Sequence, residues 1–292
     1  MSRREWAGTT YGNSRMHSWL IAFLRHADVR LAYLFASVFV VPVCLLLNYS
    51  RKTAYRYFRH IHGYGPLKAA WFTYVNHCQF AQSVIDKFAM YAGRKFDVEI
   101  VGMDSFRDLA GREDGFLLMS SHIGNYEIAG YSLVSDRKTI HAVVYADEKA
   151  SVMANRNSMF EKTNISMIAL DADMNYLFEI DKALSDGDIV SFPTDRFMGQ
   201  AKSVECMFFG RAAGFPQGPF RVAAMRGLDV LAVNVMKTGL KKYTIYVTPL
   251  HYDRNSPRKE QIRQLSGAYV SELEKRLRQY PAQWYNFFDF WQ

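Results

Sequence analysis

Cysteine is scarce in this chain: Cys44, Cys78 and Cys206 are scattered over 292 residues and odd in number. They form neither a disulfide framework nor a thiolate pair for a metal, and this usage points to a reducing compartment. No His, Cys or carboxylate cluster stands at a familiar zinc spacing, so neither a metal nor another cofactor is expected. A recognition motif and a dense basic helix are also missing. Nucleic acid is therefore not an expected partner, although the net charge is +8 and the pI near 9.3. No internal repeat, low-complexity tract or interdomain linker divides the chain. No small-residue cleavage site follows the one long apolar run, so that run is expected to stay in place and not to leave as a signal peptide.

Apolar side chains are plentiful. They make up 49% of the residues, with 15% aromatic, enough for a substantial core. The basic surface suits anionic lipid headgroups or an acidic protein partner. Leu31 to Leu47 carries no charge, which is close to the lower limit of ~17 residues for spanning a bilayer core. Pro42 within it should kink a helix. The same run could be a membrane anchor, a helix lying in the interface, or a buried core helix. Arg51, Lys52, Arg56 and Arg59 follow it closely, and the positive-inside tendency places the rest of the chain on the cytoplasmic side. The expected division is a basic N-terminus with its hydrophobic segment over 1–60, and one globular domain over 61–292.

Within that domain, Leu67, Trp71, Tyr74, Val75, Cys78, Ala81, Ile85 and Phe88 recur at helical spacing between Pro66 and Gly93. His77 beside this stripe reads as a structural histidine. Downstream, strand signals (around Ile100, Gly115 to Ser120, Thr139 to Val144, Ser166 to Leu170, Asp188 to Phe192, Val230 to Val235 and Tyr243 to Val247) alternate with helical ones. The helical stretches are Ile128 to Val134, Ser151 to Glu161, Met174 to Ser185, Gln217 to Met225 and Pro257 to Arg278, the last capped by Ser256. Alternation of this kind predicts a single α/β domain with a mainly parallel or mixed sheet covered by helices, behind an N-terminal membrane-associated helix.

Three stretches carry chemistry. Phe116 to Tyr131 delivers His122 from a buried strand into a tight turn, with Gly124 permitting the turn, Asn125 as a helix cap and Glu127 in the first helical turn. The spacing is H-x4-E, and it suits an imidazole base with a carboxylate that fixes its tautomer. A helix-capping turn with a structural histidine fits the same residues. In the second stretch a strand ends at Phe192 and opens into a loop that presents Asp195 beside Arg196. That guanidinium suits a phosphate or a developing oxyanion, while a solvated ion pair is the ordinary fate of such neighbours. The third stretch runs from Met207-Phe208-Phe209-Gly210-Arg211 through Gly218 to Arg221, a hairpin-like loop feeding a helix whose N-terminus can hold an anion, although Phe208 and Phe209 equally suit the core.

The order of these motifs resembles the late acyltransferases of lipid A biosynthesis, the lauroyl and myristoyl transferases of the lysophospholipid acyltransferase superfamily. The resemblance rests on H-x4-E, a strand ending in Pro193-x-Asp195, Phe208-Phe209-Gly210, Gly218-x-Phe220-Arg221-x-Ala223-Ala224 and the closing Tyr280-Pro281-x-Gln283-Trp284. It implies transfer of a fatty acyl chain from an acyl carrier protein or coenzyme A thioester to a hydroxyl of a lipid acceptor, at the cytoplasmic face of a bacterial inner membrane. His122 would be the base and Glu127 its orienter, with Gly124, Asn125, Asp195, Arg196, Gly210, Gly218 and Arg221 around the substrates. The chain departs from the family pattern at Tyr145-Ala146-Asp147, where an arginine is usual and Arg156 stands further on. It departs again at Arg196, where glutamine is common, and in a tail without basic residues. The implied acceptor is of the lipid A type, with an aminolipid, a lysophospholipid or a polyene pigment as alternatives. A silent lipid- or carrier-binding protein of the same fold is the non-enzymatic alternative, and a hydrolase using the same base would differ only in its acceptor.

Overall fold

In a computed structural model the protein is described over residues 14–145, 164–170, 175–197, 202–288 and 290–291. The helix expected over Ser151 to Glu161, together with Ala146, Asp147 and Arg156, lies outside the described residues. The strands are β1 (Asp97–Val101), β2 (Phe116–Gly124), β3 (Ile140–Tyr145), β4 (Ile165–Leu170), β5 (Ile189–Pro193), β6 (Ser203–Phe208), β7 (Arg211–Pro216), β8 (Val230–Lys237) and β9 (Lys242–Pro249). The helices are α1 (Ser14–His26), α2 (Val29–Leu47), α3 (Ser50–Arg56, continued by a wide turn Tyr57–Ile61) and α4 (Pro66–Tyr91). They continue with α5 (Met103–Gly111), α6 (Ala129–Ser132), α7 (Tyr176–Ser185), α8 (Gln217–Arg226) and α9 (Arg258–Gln279).

Seven strands form one sheet in the order β1-β9-β8-β2-β5-β3-β4. Every pairing is parallel except β8 with β9, so the sheet is mixed, as the alternation of strand and helix signals predicts. β2 lies between β8 and β5, and Phe116, Leu117, Leu118 and Met119 are all buried. A strand covered on both faces needs such a continuous apolar run, whereas β1 at the sheet edge alternates exposed and half-buried positions. One face of the sheet packs on α9 and α8 through Leu265, Tyr269, Leu273 and Phe220, and the other on α5 through Phe106 and Leu109.

Several elements differ from their sequence reading, each for a local reason. Pro42 has no N–H to give to the helical ladder, and a widened π turn at Ala36–Val40 precedes it. The expected helix from Ile128 to Val134 is one tight turn, Tyr126–Ile128, followed by the short α6. Ser256 does not cap α9, because its hydroxyl donates to Asp253 Oδ2 at 2.7 Å and Pro257 holds the cap position. Phe209 and Gly210 both have positive φ (52° and 72°) and form the two-residue turn joining β6 to β7. That left-handed pair matches the twist of a hairpin, so Gly210 serves the turn.

The N-terminal helices share a core with the remainder of the chain. Leu24, Val29, Tyr33 and Ala36 pack on Ile85, Phe88 and Ala89 of α4. His77 is buried on α4, paired with Ser50 Oγ at 3.1 Å and the Thr73 carbonyl at 2.8 Å, as the structural reading expects. The outward face of α2 is apolar and exposed at Leu31, Leu34, Phe39, Leu46 and Leu47.

Candidate active site

Parallel pairing of β2 with β5 sets Ser120 beside Pro193, and the Thr194 N–H donates to the Ser120 carbonyl at 2.9 Å. Two residues further on stand His122, still in β2, and Asp195, just past the end of β5. Both leave the C-terminal edge of the sheet, where α/β folds place their ligands. The His122 ring meets Asp195 Oδ1 through Nδ1 at 2.7 Å, and the His122 backbone N–H donates to Oδ2 at 2.9 Å. One residue thus occupies both oxygens of the carboxylate and fixes the imidazole against rotation. A ring that donates from Nδ1 carries its lone pair on Nε2, the nitrogen suited to accept a substrate proton.

Asp195 is 2% exposed, so the solvated ion pair with Arg196 is excluded. Burial pushes its carboxyl up, but the His122 imidazolium, its ring bond, the Arg196 guanidinium and the His122 N–H outweigh burial and hold it below 3.8. Arg196 reaches the tail, where Nη2 donates to the Tyr285 carbonyl at 3.0 Å.

The orienting carboxylate that the H-x4-E spacing assigns to Glu127 is, at Nδ1, supplied by Asp195. Glu127 itself is buried against α4, with Lys87 Nζ at 2.7 Å and the Tyr91 hydroxyl at 3.3 Å. These bonds tie the turn after the histidine to the helix that carries the N-terminal segment. Asn125 follows β2 and its side chain does not cap the turn Tyr126–Ile128; its Nδ2 approaches the Ser83 carbonyl and the Tyr243 hydroxyl, each at 3.5 Å. Tyr126 sets its ring edge-on to His122, with centroids 5.5 Å apart.

Gly124 makes the turn possible. Its φ is +55°, and a Cβ there would lie 1.7 Å from the Val235 carbonyl oxygen. Gly124→Ala is expected to cost about 1–3 kcal/mol in backbone strain before the clash is counted. We expect a lowered Tm or insoluble protein, and a stable, fully active alanine variant would contradict this geometry.

The closing Tyr-Pro-x-Gln-Trp segment builds the other wall. Trp284 pairs with Ile123 in an antiparallel bridge, and the Tyr285 N–H faces the His122 carbonyl at 3.4 Å. Asn76 Nδ2 donates to the Ala282 and Trp284 carbonyls, each at 2.9 Å. Gln283 bonds both the N–H and the carbonyl of Lys237 at 2.8 Å. Those contacts explain why this segment has its composition, which sequence order presents only as a signature. Lys87, Tyr91 and Asn76 lie on α4, and nothing in their spacing announces the contacts they make. Gly218 and Arg221 lie on α8 and are exposed, and Gly210 sits in the hairpin turn. Among the described residues no group of His, Cys, Asp and Glu gathers as a metal would require.

A histidine held by a buried carboxylate at the C-terminal edge of an α/β sheet can act as a general base toward a hydroxyl. The chain belongs to the bacterial lipid A biosynthesis acyltransferase family, whose model matches residues 84–292, and it is an acyltransferase. No curated protein matches it. The crystal structure of the 1-acyl-sn-glycerophosphate (LPA) acyltransferase PlsC from Thermotoga maritima is similar at a TM-score of 0.39 and 16% identity, over 94% of this chain and 100% of that one. A likeness that faint carries no argument.

Proposed function

We propose that this protein transfers a fatty acyl chain from an acyl carrier protein or coenzyme A thioester to a hydroxyl of a lipid A-type acceptor, with His122 as the base. The observation that carries the reading is the His122–Asp195 pair at the sheet edge, next to a family match that covers the same segment. The acceptor oxygen attacks the thioester carbonyl as Nε2 takes its proton. The C–S bond breaks, the ester C–O bond forms, and the proton passes to the departing thiolate. Asp195 holds the ring and stabilises the imidazolium, without an acyl-enzyme intermediate. Glu127 adds a second buried carboxylate to the same turn, partnered by Lys87.

The reaction takes place at a membrane surface. α2 has 19 residues and a mean hydropathy of 2.2, enough by length to cross a bilayer. Along that length it docks on α4: the Tyr74 hydroxyl donates to the Ser37 carbonyl at 3.1 Å, and Val29, Tyr33, Ala36 and Val41 are buried. A helix held against its own domain on one side and apolar on the other suits the plane of one leaflet, with Arg51, Lys52, Arg56 and Arg59 among the headgroups. The cytoplasmic face of the inner membrane is the site this polarity favours.

His122→Ala is expected to abolish transfer while the protein still folds and floats with phospholipid vesicles. Release of free thiol from acyl-carrier thioester and mass spectrometry of the lipid product measure the effect. Activity within a few-fold of wild type would remove His122 as the base, and free fatty acid as the sole product would make the enzyme a hydrolase.

A further inference from the structure

Past Ser120 the strand β2 loses its regular neighbours. Its pairing with β5 ends at Ser120 and Pro193, and its register with β8 shifts between Ser120 and Gly124. The main-chain groups of His122 and Ile123 need other partners there, because N–H and C=O groups shielded from water are nearly always paired. Asp195 Oδ2 takes the His122 N–H at 2.9 Å. The C-terminal tail supplies the rest: Trp284 bridges to Ile123, and the Tyr285 N–H faces the His122 carbonyl at 3.4 Å. That contact is longer than an ordinary hydrogen bond and holds little by itself. Its geometry depends on what fixes Tyr285.

Arg196 fixes the other side of that residue. Its Nη2 donates to the Tyr285 carbonyl at 3.0 Å, and Arg196 directly follows Asp195 in the chain. A closed ring results. His122 Nδ1 meets Asp195 at 2.7 Å, the chain continues to Arg196, Arg196 bonds Tyr285, and Tyr285 returns to His122. Tyr285 is buried, with its ring against Phe80 and its hydroxyl 3.1 Å from Ser83 Oγ, both on α4. We propose that Arg196 is a positioning residue for acyl transfer: by pinning Tyr285 it holds the tail against β2 and keeps the His122 ring in line with Asp195. This role rests on the reading of His122 as the base. An arginine that held a substrate phosphate or an oxyanion would act only with substrate bound. A positioning arginine acts already in the empty enzyme, on the ring tautomer that leaves the Nε2 lone pair free.

Two variants of similar size separate the roles. Arg196→Met keeps an apolar stem and removes every N–H, whereas Arg196→Gln keeps an N–H donor without the charge. NMR of the histidine ring nitrogens, on the substrate-free full chain in detergent, reports the tautomer of His122, whose signals are those lost in His122→Ala. We expect one tautomer in wild type and in Arg196→Gln, and a mixture in Arg196→Met. Transfer from a lauroyl-acyl carrier protein thioester to a lipid A precursor gives the kinetic reading. For Arg196→Met, kcat should fall by about 10- to 100-fold, the scale of a small misplacement of a catalytic group, with KM for either substrate within about threefold. Arg196→Gln should recover most of that loss. Should Arg196→Met fail to fold, Asn76→Ala supplies the comparison, since it frees the Ala282 and Trp284 carbonyls of the same tail and should mix the tautomers too. Ring spectra in Arg196→Met that superimpose on wild type would overturn the proposal. So would a large rise in KM with kcat unchanged, which would make Arg196 a substrate ligand. Mixed tautomers in Arg196→Met beside a fully active His122→Ala would uphold the positioning and place the failure in the catalytic reading.

Discussion

Asp195→Asn is expected to lower kcat for acyl transfer by about 1,000- to 10,000-fold, the scale of the same change in Ser-His-Asp triads. Asparagine is nearly isosteric, and its carbonyl can still accept one bond from His122. It has no charge to stabilise the imidazolium, and its amide can favour the wrong ring tautomer. The acceptor KM should change far less than kcat, because in the proposed mechanism Asp195 acts through His122. Glu127→Gln, measured alongside, should cost less, since its carboxylate is engaged by Lys87 and Tyr91. An Asp195→Asn enzyme within threefold of wild type would remove Asp195 from the mechanism. The same variant has a stability signature. A carboxyl whose folded pKa lies below its unfolded value stabilises the fold above that unfolded value. The contribution is lost as pH falls through the folded pKa. Wild type should therefore lose stability below about pH 3.8 by a step that Asp195→Asn lacks. Acid denaturation of both proteins would show the difference.

Lys237→Met is expected to destabilise the protein by about 3–5 kcal/mol, the usual cost of leaving one member of a buried ion pair uncompensated. Lys237 Nζ lies 2.5 Å from Asp86 Oδ2, with the two side chains 6% and 0% exposed. The Tyr33 and Tyr243 hydroxyls donate to the same carboxylate. Burial pushes the Asp86 carboxyl up and the Lys237 ammonium down, so each needs the other to stay charged. The cluster gathers α2, α4, β8 and β9 at one point, and the Tyr243 hydroxyl extends it toward Asn125 in the turn after His122. The double variant Asp86→Asn, Lys237→Met should recover most of the loss, because no lone charge remains buried. Equilibrium unfolding in urea, followed by tryptophan fluorescence, measures all three proteins. A single-variant loss under about 1 kcal/mol would mean that the pair is not buried as described.

Local pattern made much of this protein legible. The helical stripe from Leu67 to Phe88, with Pro66 opening it, became α4 within a residue or two. The apolar runs became central strands because only a strand covered on both faces uses them. The pairing of His122 with Asp195 was not legible, since 73 residues separate the two positions. Spacing favoured Glu127, five residues on, because a short interval is visible in sequence and strand adjacency is not. The Asp195–Arg196 doublet read as readily as a surface ion pair, and only burial of Asp195 decides between the readings. The Asp86–Lys237 pair joins a helix to a strand across 151 residues and had no sequence signal.

The sequence by itself determined the α/β class, the apolar helix with its basic flank, and the histidine at the end of a buried strand. Each of these follows from side-chain periodicity and local backbone preference, which act over a few residues. Only the tertiary structure decided which carboxylate holds that histidine. Two parallel strands in register bring Asp195 to Nδ1, and register is set by the packing of the whole sheet.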